Sequence, residues 1–473
     1  MKDILIIICD QLSATALSAY GNTYVNAPNI DSLTKNGVVF ENTYTTCPLC
    51  QPARASFWSS KYPHQTEILS NLPDQGFPTI STEIETLGDL FSKNGYECVH
   101  YGKTHDYGAL RGFKVDKGTQ IKSERENPAI EVNYETFFDE DTTRKVVEYL
   151  KEDVSEKPFL LVADLQNPHN ICNYIGENEF GHKDFNINEE LPTLPDNFDF
   201  DDEINRPEFI QYMCCAHRRQ SQVVNWKEDD FRHYLYAYYH YIGIVDKQIG
   251  RILNALEQSG KKDDTLIVFF ADHGEGMAAH HLVTKYGAFY EETNRVPLIY
   301  SGNGVKGYRN IDGLVSLLDI MPTLADYAGI SDLQGAEGKS HYKQIIGESD
   351  KTENSYVCGE WYDEYDGYIV PGRMFLDENY KYTVYKEDNS EELFDMKNDR
   401  GEKINLASNK EYEKLLQGYR EKLKNHIEKT DDNFFELESC YDENYRQHEL
   451  GLHNDSHINA TLEYAARLKK KNK

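Results

Sequence analysis

The chain has little of what marks a secreted or membrane-spanning protein. Only nine of its 473 residues are cysteine, and they are scattered and odd in number, whereas a disulfide framework is dense in a short secreted chain. No apolar run approaches the roughly 18 residues needed to cross a bilayer. The longest, Ile4–Cys9, is followed at once by Asp10 and Gln11, so it predicts a buried strand rather than a signal peptide. We therefore expect a cytoplasmic protein with no membrane anchor.

Basic residues are scarce relative to acidic ones. Fifty Lys and Arg stand against 80 Asp and Glu, which gives a formal net charge of -30. This field disfavours nucleic acid and anionic membranes as partners. An anionic substrate should therefore be small or enter a locally positive pocket. Apolar residues still make up 39% of the chain, enough for a substantial core.

Short apolar runs alternate with helical patterns over the first three hundred residues. This alternation predicts an α/β fold with a large, mostly parallel sheet sandwiched by helices. The predicted strands are Ile4–Cys9, Val38–Thr43, Glu97–Tyr101, Phe159–Asp164 and Thr265–Phe270. The predicted helices are Asn29–Lys35, Arg54–Ser60, Thr86–Lys93, Glu140–Lys151, Phe231–Glu257 and Leu317–Ala328, the last with Pro322 as a kink or a boundary. Polar residues dominate between 167 and 228, which predicts an insertion over the sheet's carboxyl edge.

The residue pattern of the sequence changes near residue 356. Polar-aromatic strands are predicted at Val357–Trp361, Tyr368–Phe375 and Tyr380–Tyr385, followed by a helix at Lys410–Glu428. We divide the chain into an α/β domain at 1–350, a smaller C-terminal α+β subdomain at 351–430 and a C-terminal extension at 431–473. The extension ends in a basic run, which we interpret as a solvated tail.

Four polar clusters follow predicted strands, where an α/β sheet places its functional site. They are Asp10-Gln11, the segment from Cys47 to Arg54, Lys103 with His105, and Asp272-His273 with Lys285 further on. Asp, Gln and His offer oxygen and nitrogen ligands suited to a hard or borderline divalent ion. The clusters therefore predict a metal site at one edge of the sheet.

Cys50 admits several interpretations on local grounds. With Cys47 it forms a C-x-x-C, which is typical of a redox pair or half a zinc site, but no second C-x-x-C accompanies it. A thiol near a helix N-terminus, with Arg54 one turn later, has a lowered pKa and is a plausible nucleophile. The alternative is a half-buried, inert cysteine.

The order of these motifs resembles the type I, formylglycine-dependent sulfatases of the alkaline phosphatase superfamily. The matching elements are Asp-Gln, Cys-x-Pro-x-Arg, Gly-Lys-x-His, Pro-His, Asp-His-Gly and Lys, with further similarity at 27–33, 295–297, 319–324 and 392–399. The most specific element is Cys50–Arg54, the sequence read by formylglycine-generating enzymes. This chain departs from the family at Ala53, where Ser is usual, and at Thr104, where Trp is common.

The resemblance implies an alkaline phosphatase-like fold and a sulfuric ester hydrolase. Cys50 would be oxidised to formylglycine by a sulfatase-maturating enzyme, and its hydrated form would supply the attacking oxygen. One divalent ion, Ca²⁺ with Mg²⁺ as the alternative, would be held by Asp10, Gln11, Asp272, His273 and the modified Cys50.

The resemblance also implies catalytic roles for the other clusters. Arg54 would orient the hydrated aldehyde, and Lys103 and Lys285 would neutralise sulfate oxygens. His105 and His169 would move protons on the diol and the leaving alcohol. Two further residues are candidates for substrate contact, namely His281 and Arg373.

Three functions are compatible with this reading. The first is hydrolysis of a small sulfated substrate, a carbohydrate sulfate above all. The second is hydrolysis of a phosphonate or phosphate ester with the same formylglycine and metal, although two lysines and one metal ion favour the less charged sulfate. The third is an inactive metal-binding module, which the complete set of motifs argues against.

Overall fold

The computed structural model describes most of the chain. The described residues are 2–71, 79–116, 137–152, 157–175, 190–199, 206–207, 209–210, 220–223, 226–285, 287–363, 368–386 and 390–441. Much of the predicted insertion, the predicted basic tail, and Cys214 with Cys215 lie outside these residues. No helix among the described residues is long and apolar enough to span a membrane.

A nine-stranded mixed sheet forms the centre of the molecule. Its strands are β1 Asp3–Asp10, β2 Val38–Tyr44, β3 Glu97–Gly102, β4 Lys114–Asp116, β5 Phe159–Pro168, β6 Thr265–Ala271, β7 Arg295–Val296, β8 Leu298–Gly302 and β9 Arg309–Ser316. Their order is β4-β3-β5-β1-β6-β8-β2-β7, with β9 paired to β2. The pairs among β4, β3, β5, β1 and β6 are all parallel, whereas β8 and β7 pair antiparallel to their neighbours. The predicted mostly parallel sheet is confirmed.

The middle strands are apolar because both faces of the sheet are covered. Ile4–Cys9 is fully buried, and all of β6 is buried with it, as expected for a strand enclosed on two sides. The helices of the described residues are α1 Pro28–Thr34, α2 Cys50–Ser59, α3 Pro63–Thr66, α4 Leu87–Lys93, α5 Phe137–Lys151, α6 Ile171–Ile175, α7 Gln220–Val223, α8 Glu228–Gln258, α9 Glu291–Asn294, α10 Ile320–Ala328, α11 Tyr342–Ile345 and α12 Glu413–Thr430.

Helix α2 begins one turn earlier than predicted, at Cys50 instead of Arg54. Pro52 falls in the first turn, where its missing N–H has no intrahelical partner to lose. Leu49 remains extended, with φ -151° and ψ 138°. As a result Cys50 and Arg54 are four residues apart on one helix and share a face.

Pro322 marks a boundary rather than a kink. The predicted helix Leu317–Ala328 is divided into a 3₁₀ turn at Leu317–Asp319 and α10, which starts at Ile320. Pro322 therefore lies in the first turn of α10. Strands β4, β7, β8 and β9 were not predicted, nor were two strands further along the chain, Ser390–Asp395 and Cys440–Tyr441.

A second, antiparallel sheet forms the C-terminal subdomain. It contains β10 Tyr356–Asp363, β11 Tyr368–Asp377, β12 Tyr380–Tyr385, β13 Ser390–Asp395 and β14 Cys440–Tyr441. Helix α12 packs on β11 and β12. Strand β14 belongs to the predicted extension, yet it pairs with the first residues of β11. The extension therefore begins as part of the small sheet.

Candidate active site

The predicted clusters converge on one edge of the large sheet. Strands β3, β5, β1 and β6 are parallel neighbours, so their carboxyl ends meet there. Asp10 ends β1, Asp272 follows β6 and Lys103 follows β3. The N-terminus of α2 brings Cys50 to the same place, and the loop after Asp272 brings Lys285.

The thiol of Cys50 lies at the centre of this group. Its Sγ is 2.9 Å from Nζ of Lys285, 3.2 Å from Nε2 of His273 and 3.8 Å from both Nζ of Lys103 and Oδ1 of Asp10. Burial raises the pKa of Cys50, and the charge of Lys285 offsets this only in part. The charge of Arg54 lowers this pKa, as expected, but burial outweighs it, so the expected net lowering is wrong for the unmodified residue. The cysteine is a neutral thiol near pH 7.

Arg54 is fully buried and surrounded by carboxylates. Its Nη1 donates to Oδ2 of Asp164 at 2.6 Å, its Nε to Oδ2 of Asp272 at 2.9 Å and its Nη2 to Oδ2 of Asp10 at 3.4 Å. A planar guanidinium can bind several carboxylates in fixed directions. Arg54 is thereby held in one orientation beneath the cysteine on its own helix.

Two buried residues of the site carry no motif and were not predicted: Asp164, and His100, whose Nε2 lies 3.2 Å from Oδ2 of that aspartate. Both are polar residues inside otherwise apolar strands, β5 and β3. A charged residue within a strand buried on both faces requires a partner. That signal was available in the sequence, although the identity of the partner was not.

The predicted metal ligands lie together. Ligand atoms of Asp10, Asp272, His273 and Cys50 are all within 4.8 Å of one another. Nδ1 of His273 donates to the carbonyl oxygen of Gly274 at 2.9 Å, so the lone pair of Nε2 faces the Cys50 thiol and the two carboxylates. Burial lowers the pKa of His273 to about 3, so the imidazole is neutral. Two close carboxylates and a neutral imidazole fit a divalent cation.

Gln11 is aligned with this group by its backbone and by its side chain. It has φ +66°, and its N–H donates to Oδ1 of Asp272 at 3.0 Å. Its Oε1 accepts a hydrogen bond from Lys285 at 2.8 Å, while its Nε2 donates to Glu275 and to Sγ of Cys172. The amide oxygen therefore faces the site. Glu275 and Cys172 are supporting residues that the sequence analysis missed.

Lys103 is placed by a close approach of strands β3 and β5. Gly102 has φ +107°, and a Cβ there would collide with the carbonyl oxygen of Asp164. The same carbonyl accepts the N–H of Lys103 at 3.1 Å, and the ammonium contacts Asp10. Burial, followed by the charge of Lys285, lowers the pKa of Lys103 to about 7.

The two predicted proton-transfer histidines lie at the same edge. His105 follows β3, with φ +42°. Desolvation, together with Lys103 and Arg54, lowers the pKa of His105, which favours a neutral ring. His169 follows the neighbouring strand β5 and is half-buried, with Nδ1 2.9 Å from Nε2 of Gln166. Their roles remain predictions.

The two weaker candidates have other contacts. Nε2 of His281 is 3.1 Å from Oδ1 of Asp199, and its ring packs edge-on against Phe198. Arg373 is buried, and its Nε and Nη2 donate to Asp432 at 2.7 and 2.9 Å. Arg373 is thus held in a buried ion pair with Asp432, and its contact with substrate stays a prediction.

Two other groups of possible metal ligands occur among the described residues. They are His64 with Glu360 and Asp432, and His280 with Glu292 and Glu402. Arg373 is bound to Asp432 in the first group, and Lys381 lies 2.9 Å from Glu402 in the second. Both groups sit at the small subdomain, and neither contains the cysteine.

Comparison with known proteins identifies the family. Residues 2–330 match the model of the sulfatase family, and residues 280–429 match that of the C-terminal region of N-sulphoglucosamine sulphohydrolase. The chain is 43% identical over 452 residues to the Delta 4,5-hexuronate-2-O-sulfatase of Bacteroides thetaiotaomicron, covering 95% of this chain and 93% of that protein. The fold and the site thus define a sulfuric ester hydrolase. The chain belongs to the sulfatase family.

Solved structures agree with this assignment. A 2-O GAG sulfatase has 42% sequence identity and a TM-score of 0.86, with 94% of this chain and 96% of that chain covered. The phosphonate monoester hydrolase of Agrobacterium radiobacter has the same fold, with a TM-score of 0.73 at 21% identity, and 91% and 96% of the two chains are covered.

Proposed function

We propose that this sulfatase hydrolyses a small carbohydrate sulfate, and that 2-O-sulfated hexuronates are the first substrates to test. The observation that carries the proposal is the pair of lysines at the sheet's edge, Lys103 and Lys285, whose Nζ atoms lie 3.8 and 2.9 Å from Sγ of Cys50. The relative at 43% identity is named as a hexuronate-2-O-sulfatase. The net charge of -30 favours a small saccharide over a long polyanion.

The nucleophile in this proposal is formylglycine made from Cys50 by a maturating enzyme. Its support is the Cys-x-Pro-x-Arg segment and the raised pKa of the unmodified thiol, which leaves cysteine itself a weak nucleophile. The hydrated aldehyde supplies one hydroxyl oxygen to attack sulfur and a second whose deprotonation releases the sulfate.

The metal in this proposal is a calcium ion, with Mg²⁺ as the alternative. Asp10, Gln11, Asp272 and His273 would hold it, a mainly oxygen set of the kind that hard cations prefer. The ion would supply Lewis-acid polarisation of a sulfate oxygen.

The remaining residues act on charge and protons. Lys103 and Lys285 neutralise the sulfate oxygens, where preorganised cations stabilise the transition state more than water can. Arg54 orients the nucleophile from below, since it lies one turn further along the same helix. His105 removes a proton from the nucleophile, and His169 protonates the leaving alcohol.

A phosphonate or phosphate ester is the second candidate because of the fold shared with phosphonate monoester hydrolase. The charge of the pocket favours sulfate. Two lysines and one metal ion would match the single negative charge of a sulfate ester better than the two charges of a phosphate monoester.

Kinetics on a defined panel test the proposal. The panel holds a 2-O-sulfated unsaturated hexuronate disaccharide, its 6-O-sulfated isomer, and a matched pair of aryl sulfate and aryl phosphate. We expect the highest kcat/KM on the 2-O-sulfated sugar and a faster reaction with aryl sulfate than with aryl phosphate. A faster phosphate reaction would establish the second candidate, and equal rates on both isomers would refute the 2-O assignment.

A further inference from the structure

The three carboxylates around Arg54 are not equivalent. Asp10 and Asp272 belong to the group whose ligand atoms lie within 4.8 Å of one another. Asp164 is outside that group, yet its Oδ2 makes the shortest contact to the guanidinium, 2.6 Å from Nη1. Of the three carboxylates, Asp164 is therefore the one that does not belong to the candidate metal site.

This difference matters when a cation is bound. Carboxylates that ligate a divalent ion share their negative charge with it, so their attraction for a neighbouring guanidinium weakens. Arg54 is fully buried and always charged, and a buried charge without a counter-ion is costly. Asp164 is then the carboxylate that keeps the guanidinium in place while the site is loaded.

Asp164 is itself firmly held. It is 1% exposed on β5, and Oδ2 also lies 3.2 Å from Nε2 of His100, a fully buried residue on the neighbouring strand β3. Its carbonyl oxygen accepts the N–H of Lys103, an approach that glycine at position 102 permits. One residue thus fixes Arg54 through its side chain and Lys103 through its backbone.

We propose that Asp164 is a positioning residue of the sulfatase reaction. It holds the Arg54 guanidinium in line with residue 50, and His100 keeps its carboxylate in place. The inference rests on the proposed formylglycine nucleophile, because the orientation of Arg54 matters only if residue 50 reacts. No protein group changes covalently in this role.

A double-mutant cycle tests the proposal with the matured, metal-loaded enzyme on the 2-O-sulfated disaccharide. The variants are Asp164→Asn, Arg54→Lys and the two combined. Because a displacement of about 1 Å costs on the order of 100-fold in rate, we expect Asp164→Asn to lower kcat about 10- to 100-fold. The change in KM should stay within about threefold, and adding Asp164→Asn to Arg54→Lys should lower kcat by less than about twofold.

Controls separate positioning from folding. Asp246→Asn makes the same change at another buried aspartate, which accepts the N–H groups of Asn29 and Ile30; kcat should be unchanged. Formylglycine content by mass spectrometry and metal content should match wild type in Asp164→Asn. His100→Gln should also lower kcat, by a smaller factor. If Asp164→Asn does not fold, His100→Gln is the variant that tests the proposal.

The outcomes are distinct. A folded Asp164→Asn enzyme with wild-type kcat overturns the inference, as does a full additional loss in the Arg54→Lys background or the loss of bound metal. If Asp164→Asn does not fold, an unchanged kcat in His100→Gln overturns it. A wild-type enzyme that carries formylglycine but does not act on the disaccharide refutes the proposed substrate instead. Wild-type enzyme without formylglycine that still turns over refutes the proposed nucleophile.

Discussion

The ammonium of Lys285 lies 2.9 Å from Sγ of Cys50, across 235 residues of sequence. The same ammonium donates to the amide oxygen of Gln11 at 2.8 Å. Lys285 therefore places a positive charge between the residue proposed as nucleophile and a proposed metal ligand. Even so, burial prevails and raises the pKa of the thiol. The site is thus built for an anion held beside residue 50 and not for a cysteine thiolate.

Replacing Cys50 by Ala should abolish turnover and leave the fold intact. The side chain is 1% exposed, and its loss removes one small buried group without leaving a charge unpaired. Activity and thermal unfolding of the variant check this directly. Peptide mass spectrometry of wild type should show the aldehyde at position 50. An active enzyme that carries only the unmodified thiol would contradict the assignment.

Replacing Lys285 by Met should lower kcat/KM by about 100- to 1,000-fold, the cost of removing one preorganised group that stabilises developing charge. The matched control is Lys61→Met, which removes a partly exposed lysine paired with Glu337 at 3.4 Å. Steady-state kinetics of both variants measure the change in kcat/KM. A Lys285→Met enzyme within a few-fold of wild type would show that this ammonium does not meet the substrate.

Removing the metal with a chelator should abolish activity and lower the melting temperature. An ion present at 100 times its Kd stabilises the folded protein by about 2.7 kcal/mol. Adding Ca²⁺ should restore both properties in wild type. His273→Ala should bind the ion more weakly, whereas His64→Gln should keep wild-type metal content because His64 lies in a different group. Loss of the ion from His64→Gln, with wild-type metal content in His273→Ala, would instead assign the metal to the group of His64, Glu360 and Asp432.

The stability contributed by His64 should depend on pH. Its Nδ1 lies 2.6 Å from Oε1 of Glu360, and this carboxylate, with Asp432, raises the pKa of the imidazole although burial opposes the shift. A raised folded-state pKa stabilises the protein fully below the unfolded value, about 6.5. That stability is lost as the pH rises through the folded-state pKa.

Denaturant unfolding of wild type and His64→Gln across this range measures the effect. The difference in unfolding free energy should be largest below the unfolded-state pKa of about 6.5 and shrink as the pH rises above it. A difference that stays constant with pH would mean that His64 acts through packing alone.

Replacing Arg373 by Met should destabilise the protein by about 3–5 kcal/mol, because it leaves the buried Asp432 carboxylate without its partner. KM should not change, since the guanidinium is bound inside the small subdomain. Unfolding curves and saturation kinetics of the variant together check the assignment. A raised KM with unchanged stability would restore the substrate contact expected from the sequence.

The central strands were predictable because burial on both faces requires continuous apolar runs, as in Ile4–Cys9. Strand β9, Arg309–Ser316, was missed because its exposed residues interrupt the apolar run, so the segment contains both polar and apolar residues. Strand β7 is only two residues long. Polar content and shortness hide strands whose pairing depends on distant partners.

The residues of the site were predictable to the extent that motifs mark them. Asp10, Cys50 and Asp272 follow strands at recognisable spacings, and the structure brings them together. Glu275 carries no comparable signal, since its function is to bind Gln11 264 residues away. The pKa of Cys50 was predicted in the wrong direction because sequence shows the helix end and the arginine but not the depth of burial.

The 235 residues between Cys50 and Lys285 also correspond to an interval of time. Chains are synthesised at about 5–20 residues per second. Cys50 is therefore made about 12 to 47 s before Lys285 exists. Throughout that interval the segment from Cys50 to Arg54 lacks Lys285, and for most of it Asp272 as well, so the pocket cannot close over it. The number of residues between Cys50 and Lys285 therefore sets how long Cys50 stays uncovered during synthesis. Slower translation before residue 285 should lengthen the period in which a modifying enzyme can reach Cys50.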